Sequence, residues 1–171
     1  PNTLENNIVK LRAPEPSDVD LLYSWENNME IWKVSNTITP FSKQVLKKYI
    51  ETSHLDIWEV KQLRLVVEAK TQSSLMHIPV GLVDLFDFDP FNLRAGIGIL
   101  IASKEDRQKG YATEALNLLI RYVFETLQLH QLYCNIGSEN TVSLRLFKNA
   151  GFTTIGVKKD WQKNVHGCLL Y

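Results

Sequence analysis

Residues 99–113 (ILIASKEDRQKGYAT) carry the most pointed chemistry in the chain. An apolar run enters a short charged loop, and a helical pattern begins at once. The first amides of a helix have no internal partners, and the helix dipole places partial positive charge there. Gly110 lets a ligand approach the backbone, Ala112 adds no bulk, and Arg107 and Lys109 supply charge. Arg107, Gln108, Lys109, Gly110, Tyr111 and Ala112 together suit a diphosphate. The spacing R/Q-x-x-G-x-G/A alone also describes a basic turn before a core helix. The buried strand before it and the amphipathic helix after it make the anion reading pointed.

A second group is acidic. Asp84, Asp87 and Asp89 fall in one strand and its turn, while Glu26 and Glu30 accompany Trp25 and Trp32. Carboxylates beside aromatic rings suit a polycation through ion pairing and cation–π contact. The same pattern also describes a solvated acidic edge. Glu26, Trp32, Asp84 and Asp87 are the candidate ligands, with Asp84 as ligand or as a base acting through water. His54, His77, His130 and His166 show no ligand spacing with one another or with the cysteines, so no metal site is expected. No G-x-S-x-G, G-x-x-x-x-G-K or C-x-x-C occurs. Gly96 and Gly98 lie inside a strand pattern, where glycine permits close approach or a bulge.

The elements that must position these residues follow from periodicity. Residues 8–12 read as a strand, followed by a helix capped at Ser17 with Asp20 as a weak capping-box partner. Leu21, Leu22 and Trp25 form its apolar face. A second helix starts near Ser42, with Phe41 and Leu46 placed for a hydrophobic staple. Residues 64–69, 79–88 and 93–102 read as a meander of three strands, with a turn at Asp89-Pro90. Ala112, Ala115, Leu116, Leu119, Ile120, Val123 and Leu127 then share one face of a long helix. Residues 131–136 are strand-like. A helix opens at Asn140 or Thr141 and ends at Ala150, with Gly151 suited to a left-handed position and Phe152 able to pack back on Phe147. Strands near 153–158 and 166–171 close the chain. The expected fold is α/β of the α+β kind: a mixed, largely antiparallel sheet of about six or seven strands flanked by about four helices.

Composition agrees with one domain spanning residues 1–171, able to bury its own core. The formal net charge is zero, which argues against a broad basic face for nucleic acid. No apolar run approaches membrane-spanning length and no signal peptide opens the chain, so cytoplasm is the default. Cys134 and Cys168 sit in apolar, strand-like runs and read as buried free thiols in a reducing compartment.

R-Q-K-G-Y-A, residues 107–112, resembles the pyrophosphate-binding signature of the GNAT acetyltransferases. S-E-N-T-V-S-L-R-L-F-K-N-A-G-F, residues 138–152, resembles that superfamily's N-x-x-S-x-x-[LI]-[YF]-x-K-x-G-F segment. The likeness extends upstream to the segments L-R-x-x-x-x-x-D-V-D-L-L-Y-x-W-E-N-N and G-L-V-D-L-F-D-F-D. These resemble the branch of spermidine/diamine acetyltransferases and ribosomal-protein N-terminal acetyltransferases. The resemblance implies acetyl-CoA as acyl donor. It places the backbone of Ile99, Leu100 and Ile101 along the pantetheine arm and the amides from Gln108 to Ala112 on the pyrophosphate. Asn140 would bond CoA, with Ser143 and Phe147 near its thiol end. Asn140 reads equally as a helix N-cap, and Phe147 as a core aromatic. The chain departs from the pattern in three places. Phe147 stands where many relatives have Tyr, the Glu that polyamine-acetylating relatives often carry near Gly96 is missing, and the loop at 103–107 is one residue longer.

The resemblance implies direct acetyl transfer to a primary amine, with a backbone amide of residues 99–101 as oxyanion donor. A polyamine, diamine or other small amine is the leading acceptor. A protein N-terminus, or a non-catalytic acyl-CoA-binding module, are the alternatives. Ser143 and Tyr133 are the hydroxyls near the expected thiol end; Cys134 reads as structural rather than as an acyl carrier. Strand alternation allows only one of Tyr133 and Cys134 to face the cofactor. The oligomeric state is left open between monomer and homo-oligomer.

Overall fold

The computed structural model describes residues 4–31, 39–53, 56–71, 76–162 and 169–170. Within them the order is β1 (Val9–Arg12), α1 (Val19–Glu26), α2 (Lys43–Thr52), α3 (Ile57–Val60), β2 (Leu63–Lys70), β3 (His77–Asp89), β4 (Arg94–Ile101), α4 (Tyr111–Glu125), β5 (Gln131–Tyr133), β6 (Ile136–Gly137), α5 (Thr141–Asn149), β7 (Val157–Lys158) and β8 (Leu169–Leu170). β1 to β5 form one sheet in chain order, antiparallel except for the parallel β4–β5 pair. β6, β8 and β7 form a second, antiparallel sheet. The expected mixed, largely antiparallel α/β fold is present, with its strands divided between two sheets. The run expected as one strand over 131–136 is broken: β5 ends at Tyr133 and β6 belongs to the other sheet.

Alternation along the strands builds a core on each face of the large sheet. On one face, Leu65, Val67, Val83, Leu85, Ala95 and Ile97 join Ala115, Leu116, Leu119 and Val123 of α4. On the other, Val66 and Leu82 pack with Leu22 of α1 and Leu46 and Ile50 of α2. Each helix carries one apolar stripe because the other side faces water.

The caps show how local sequence sets these elements. The Ser42 hydroxyl accepts the Val45 amide at 3.1 Å, and Phe41 packs on the cluster containing Leu46. After α5, Gly151 takes φ +104°; its amide reaches Lys148 O at 3.1 Å and the Phe152 amide reaches Phe147 O at 3.0 Å. The two rings meet edge to face at 5.1 Å, completing the Schellman ending. The first helix start differs from expectation. Glu15 and Asp18, rather than Ser17 and Asp20, form the capping box, on a 3-10 turn over Pro16–Asp18, and Asp20 instead pairs with Lys43. α3 has no strong periodic signal in sequence; Asp56 caps it by accepting the Trp58 amide, and Lys61 ends it at φ +57°.

Asp18 is the one buried charged side chain among the described residues. Arg12 grips both of its oxygens, at 2.7 and 2.9 Å, and the Glu15 amide adds a third bond. Burial pushes the Asp18 carboxyl up, but the Arg12 and Glu15 hydrogen bonds and the Arg12 charge outweigh it and hold it below the usual range. A depressed folded-state pKa contributes stability above the unfolded value of about 3.9, and that stability is lost as pH falls through the folded value. Asp18→Asn should therefore cost about 3 kcal/mol in urea denaturation at pH 7, the low end for breaking a buried pair. The deficit should shrink as pH falls from about 4 through the lowered folded-state pKa, where the wild-type carboxylate protonates as well.

Candidate functional site

The site begins where β4 and β5 part. Their parallel register runs Arg94–Gln131, Ala95–Leu132 and Gly96–Tyr133, then stops. β4 continues to Ile101, still paired with β3 but without β5 beside it. The Ala102 amide reaches Val80 O at 3.0 Å, which fixes the phase of the β3–β4 ladder. Antiparallel bonding alternates, so Gly96, Gly98 and Leu100 turn their backbone groups to β3. Ile97, Ile99 and Ile101 turn theirs to the β5 side; the Gly96–Tyr133 pairing still takes the Ile97 amide, and β5 is gone beside Ile99 and Ile101. Arg107 marks that edge, its Nε donating to Ile101 O at 3.3 Å.

The chain then passes through a 3-10 turn at Lys104–Asp106 to the start of α4. Gly110 is the N-cap at φ +83°, and no side chain caps the helix. A Cβ at Gly110 would meet nothing within 4 Å. Gln108 also has positive φ, +68°. Arg107, Gln108, Lys109 and Gly110 are exposed, while Tyr111 and Ala112 are half-buried against the core. Lys109 reaches Asp106 at 3.5 Å. The result is an uncapped helix start, open to solvent and flanked by two cations, at the end of a strand edge with unpaired backbone polarity.

At the start of α5, the Asn140 side chain accepts the Ser143 amide at 3.2 Å, so it is an N-cap. Ser143 is half-buried. Phe147 is buried among core residues and lines a small cleft with Cys134, Ile136, Leu144 and Phe152. Cys134 joins the α4-side core, and burial pushes its thiol up to about 11. Tyr133, one residue before, sits beside Gly96 on the opposite face; its ring meets Phe86 edge to face at 6.1 Å. Its hydroxyl donates to Asp87 Oδ2 at 3.3 Å, and burial followed by the Asp87 charge holds the phenol above its ordinary pKa.

The acidic candidates do not form one open cluster. On the α1–α2 face, Arg64 takes Asp84 in a fork, Nε to Oδ1 at 2.6 Å and Nη2 to Oδ2 at 3.2 Å, and reaches Glu26 Oε1 at 2.6 Å. The Tyr49 ring lies 5.6 Å from the guanidinium carbon. Burial works against the Arg64 charge, yet Asp84, by charge and hydrogen bond, and Glu26 outweigh it and hold the pKa above its ordinary value. Asp87 sits at φ +48° in a bulge, where β3 takes three steps from Phe86 to Asp89 against two on β4. Asp89 accepts the Phe91 and Asn92 amides, at 3.0 and 2.8 Å, and shapes the turn. Trp32, His54, His166 and Cys168 lie outside the described residues. Sequence reasoning passed over Arg64. Its signal was a cation directly beside the apolar residues 65–67 of β2.

A sheet that parts beside an open helix N-terminus is the architecture of an acyl-carrier-binding transferase. The chain belongs to the GNAT acetyltransferases: the family model described as "Acetyltransferase (GNAT) domain" matches residues 9–153. It is an N-acetyltransferase. Among curated proteins it is 28% identical to the spermidine N(1)-acetyltransferase of Escherichia coli strain K12, over 86% of this chain and 74% of that protein. It is also 28% identical to the Vibrio cholerae spermidine N(1)-acetyltransferase, over 88% and 82%. Among solved structures, the V. cholerae spermidine N-acetyltransferase in complex with CoA and spermine matches with TM-score 0.81 and 25% identity, covering 96% of this chain and 94% of that one.

Breaking the Arg64 hub tests its weight. Arg64→Gln leaves two partly buried carboxylates facing each other and should cost about 3–5 kcal/mol in urea denaturation. Adding Asp84→Asn should restore part of that loss, since the two sites share one interaction. A loss of only about 0–1 kcal/mol would class the hub with exposed surface pairs.

Proposed function

We propose that this chain transfers acetyl from acetyl-CoA directly to a primary amine of a polyamine or diamine. The observation that carries the reading is the continuous path from the edge of β4 that β5 leaves open at Ile99 and Ile101 to the uncapped start of α4. A pantetheine arm carries amides that can complete a strand-like ladder along such an edge. A diphosphate suits the amides from Gln108 to Ala112, where the helix dipole and the charges of Arg107 and Lys109 favour it. Because the ladder phase turns Leu100 to β3, the backbone contacts fall to Ile99 and Ile101. The similar V. cholerae enzyme, in complex with CoA and spermine, supports both donor and acceptor. Dodecameric assembly of that enzyme supports a homo-oligomer here.

The reaction needs a neutral amine near the thioester carbonyl and a donor for the tetrahedral oxyanion. The Ile99 amide, facing the gap, is that donor. The amine nitrogen attacks, the C–S bond breaks, and the amine proton leaves to solvent. The departing thiol has an ordinary pKa of about 8.5, so it leaves as a thiolate near neutral pH without a dedicated acid. Phe147 has no proton to give, and the protonated Cys134 is a poor acyl carrier. Asp84 contributes as half of an ion pair with Arg64, not as a free base. No metal takes part, and transfer should survive dialysis against EDTA.

CoA should raise the melting temperature; a hundredfold excess over Kd corresponds to about 2.7 kcal/mol of linkage. Gly110→Glu should abolish the shift, because it adds bulk, negative charge and a side chain at positive φ where the diphosphate sits. Calorimetry at roughly millimolar CoA that detects no binding by the wild type, so that any affinity is weaker than about −4.1 kcal/mol, would overturn the donor assignment. In an acceptor screen, spermidine and diamines should outperform short peptides. The reverse order would move the assignment to protein N-termini.

A further inference from the structure

The start of α4 carries a charge of the wrong sign for a diphosphate. Glu114 lies in its first turn, with its amide donating to Gly110 O at 3.1 Å. Helical side chains lean toward the N-terminus, so this carboxylate leans toward the amides of residues 111–113, which have no partner within the helix. The dipole that would attract a diphosphate attracts the carboxylate as well. Swung back over the helix start, it would occupy the same donors and repel the ligand.

What holds Glu114 comes from the other end of the chain. The Asn6 side chain donates from Nδ2 to Glu114 Oε2 at 2.8 Å, across 108 residues. Both residues are half-buried. The orientation of the Asn6 amide is set by its neighbours. Its Oδ1 accepts the Ile8 and Val9 amides at 2.8 and 2.9 Å, so its NH2 group must point the other way, toward α4. The backbone around it is tied down too. The Asn6 amide donates to Val9 O at 3.0 Å, and the Leu11 amide donates to Leu4 O at 2.8 Å. Val9 is buried in the core on the α4 side, Leu4 packs on the same cluster, and Glu5 pairs with Lys70 of β2 at 3.0 Å. The turn before β1 thus presents a fixed donor to Glu114. Asn6 stands ahead of residues 9–153, the span that the family model matches.

We propose that Asn6 is a positioning residue for the acyl donor: it ties the Glu114 carboxylate to the turn before β1 and so keeps the start of α4 clear for the diphosphate. This rests on the proposed binding of acetyl-CoA and adds to it a residue that acts through another. A hydrogen bond to a carboxylate is charge-assisted, which places it among the stronger ones. Glu114 keeps the favourable place of an acid in a first helical turn without competing for the free amides.

Calorimetry of CoA binding to the full chain tests this through a charge exchange. Asn6→Asp keeps an oxygen for the Ile8 and Val9 amides but sets a second carboxylate against Glu114, and CoA affinity should fall at least about fivefold. Adding Glu114→Gln reverses the bond, an amide on α4 now donating to a carboxylate before β1, with net charge as in the wild type. Affinity should then return to within about twofold of wild type. Salt separates charge from misplacement. At about 0.5 M the Asn6→Asp deficit should shrink at least about twofold, because screening there acts over a few ångströms, whereas a distorted turn would keep its deficit. Asn6→Asp affinity within about twofold of wild type, a double variant as weak as the single one, or a deficit unmoved by salt overturns the assignment. Should Asn6→Asp fold poorly, Glu114→Gln alone decides. It should bind CoA at least as tightly as wild type, and a loss of about fivefold would show that the carboxylate aids the site rather than opposes it. A wild type that binds no CoA overturns the donor reading and this inference with it; a wild type that binds, with the wrong order among the variants, overturns this inference alone.

Discussion

The site depends on a single discontinuity, the end of β4–β5 pairing after Gly96 and Tyr133. Up to that point β4 is paired on both sides, with β3 and with β5. Beyond it, β4 stays bonded to β3 on one side and offers Ile99 and Ile101 on the other. Unsatisfied amides and carbonyls in a half-buried strand are costly unless water or a ligand meets them. The same parting brings the end of β4 to the start of α4, so the unpaired edge and the uncapped helix form one surface. β5 leaves the sheet because its continuation, Ile136–Gly137, pairs with β8 in the second sheet. The small sheet thus holds the gap open.

On the face opposite α4, charge and shape are settled by Arg64. A guanidinium has a planar fork, which matches the two oxygens of Asp84 and still reaches Glu26. It ties β2, β3 and α1 together, and Tyr49 of α2 lies against it. An acidic cluster read from sequence as an open cation site is in the fold a nearly balanced salt-bridge hub. The carboxylate with a different environment is Asp87, which the β3 bulge turns toward Tyr133. Bulges commonly re-aim a side chain near active sites.

Much of this was readable from residues alone. The three-strand meander, the long α4 stripe, the Ser42 cap and the Gly151 ending each rest on local rules: alternation, 3.6-residue periodicity and the few residues that tolerate a cap. The proposed anion site was readable for the same reason, since strand, basic loop, glycine and helix are contiguous. The Arg64 hub was not. Arg64 lies 38 residues from Glu26 and 20 from Asp84, and no local pattern tells which charges will meet. The β5–β6 break was missed because residues 131–136 are uniformly strand-like, and the event that separates them is pairing with a distant segment. Trp32 and Cys168 lie outside the described residues, so the structure does not place them.

The Tyr133–Cys134 step shows how one strand divides two roles. Alternation sends Cys134 into the α4-side core, where burial pushes its thiol to about 11. A protonated, enclosed thiol is a weak nucleophile, which leaves direct transfer as the simpler chemistry under the proposed reading. Tyr133 turns to the acceptor face, but its hydroxyl proton points at Asp87 and its pKa is raised, so it too is poorly suited to protonate a leaving group. Phe147, where many relatives have tyrosine, is committed to the core with Phe152. Each side chain near the gap that could have supplied a proton from this strand or from Phe147's position is thus withdrawn by packing or by a carboxylate. What remains at the gap is the backbone polarity of Ile99 and Ile101. Under the proposed reading such a site works by orientation and oxyanion stabilisation more than by proton transfer.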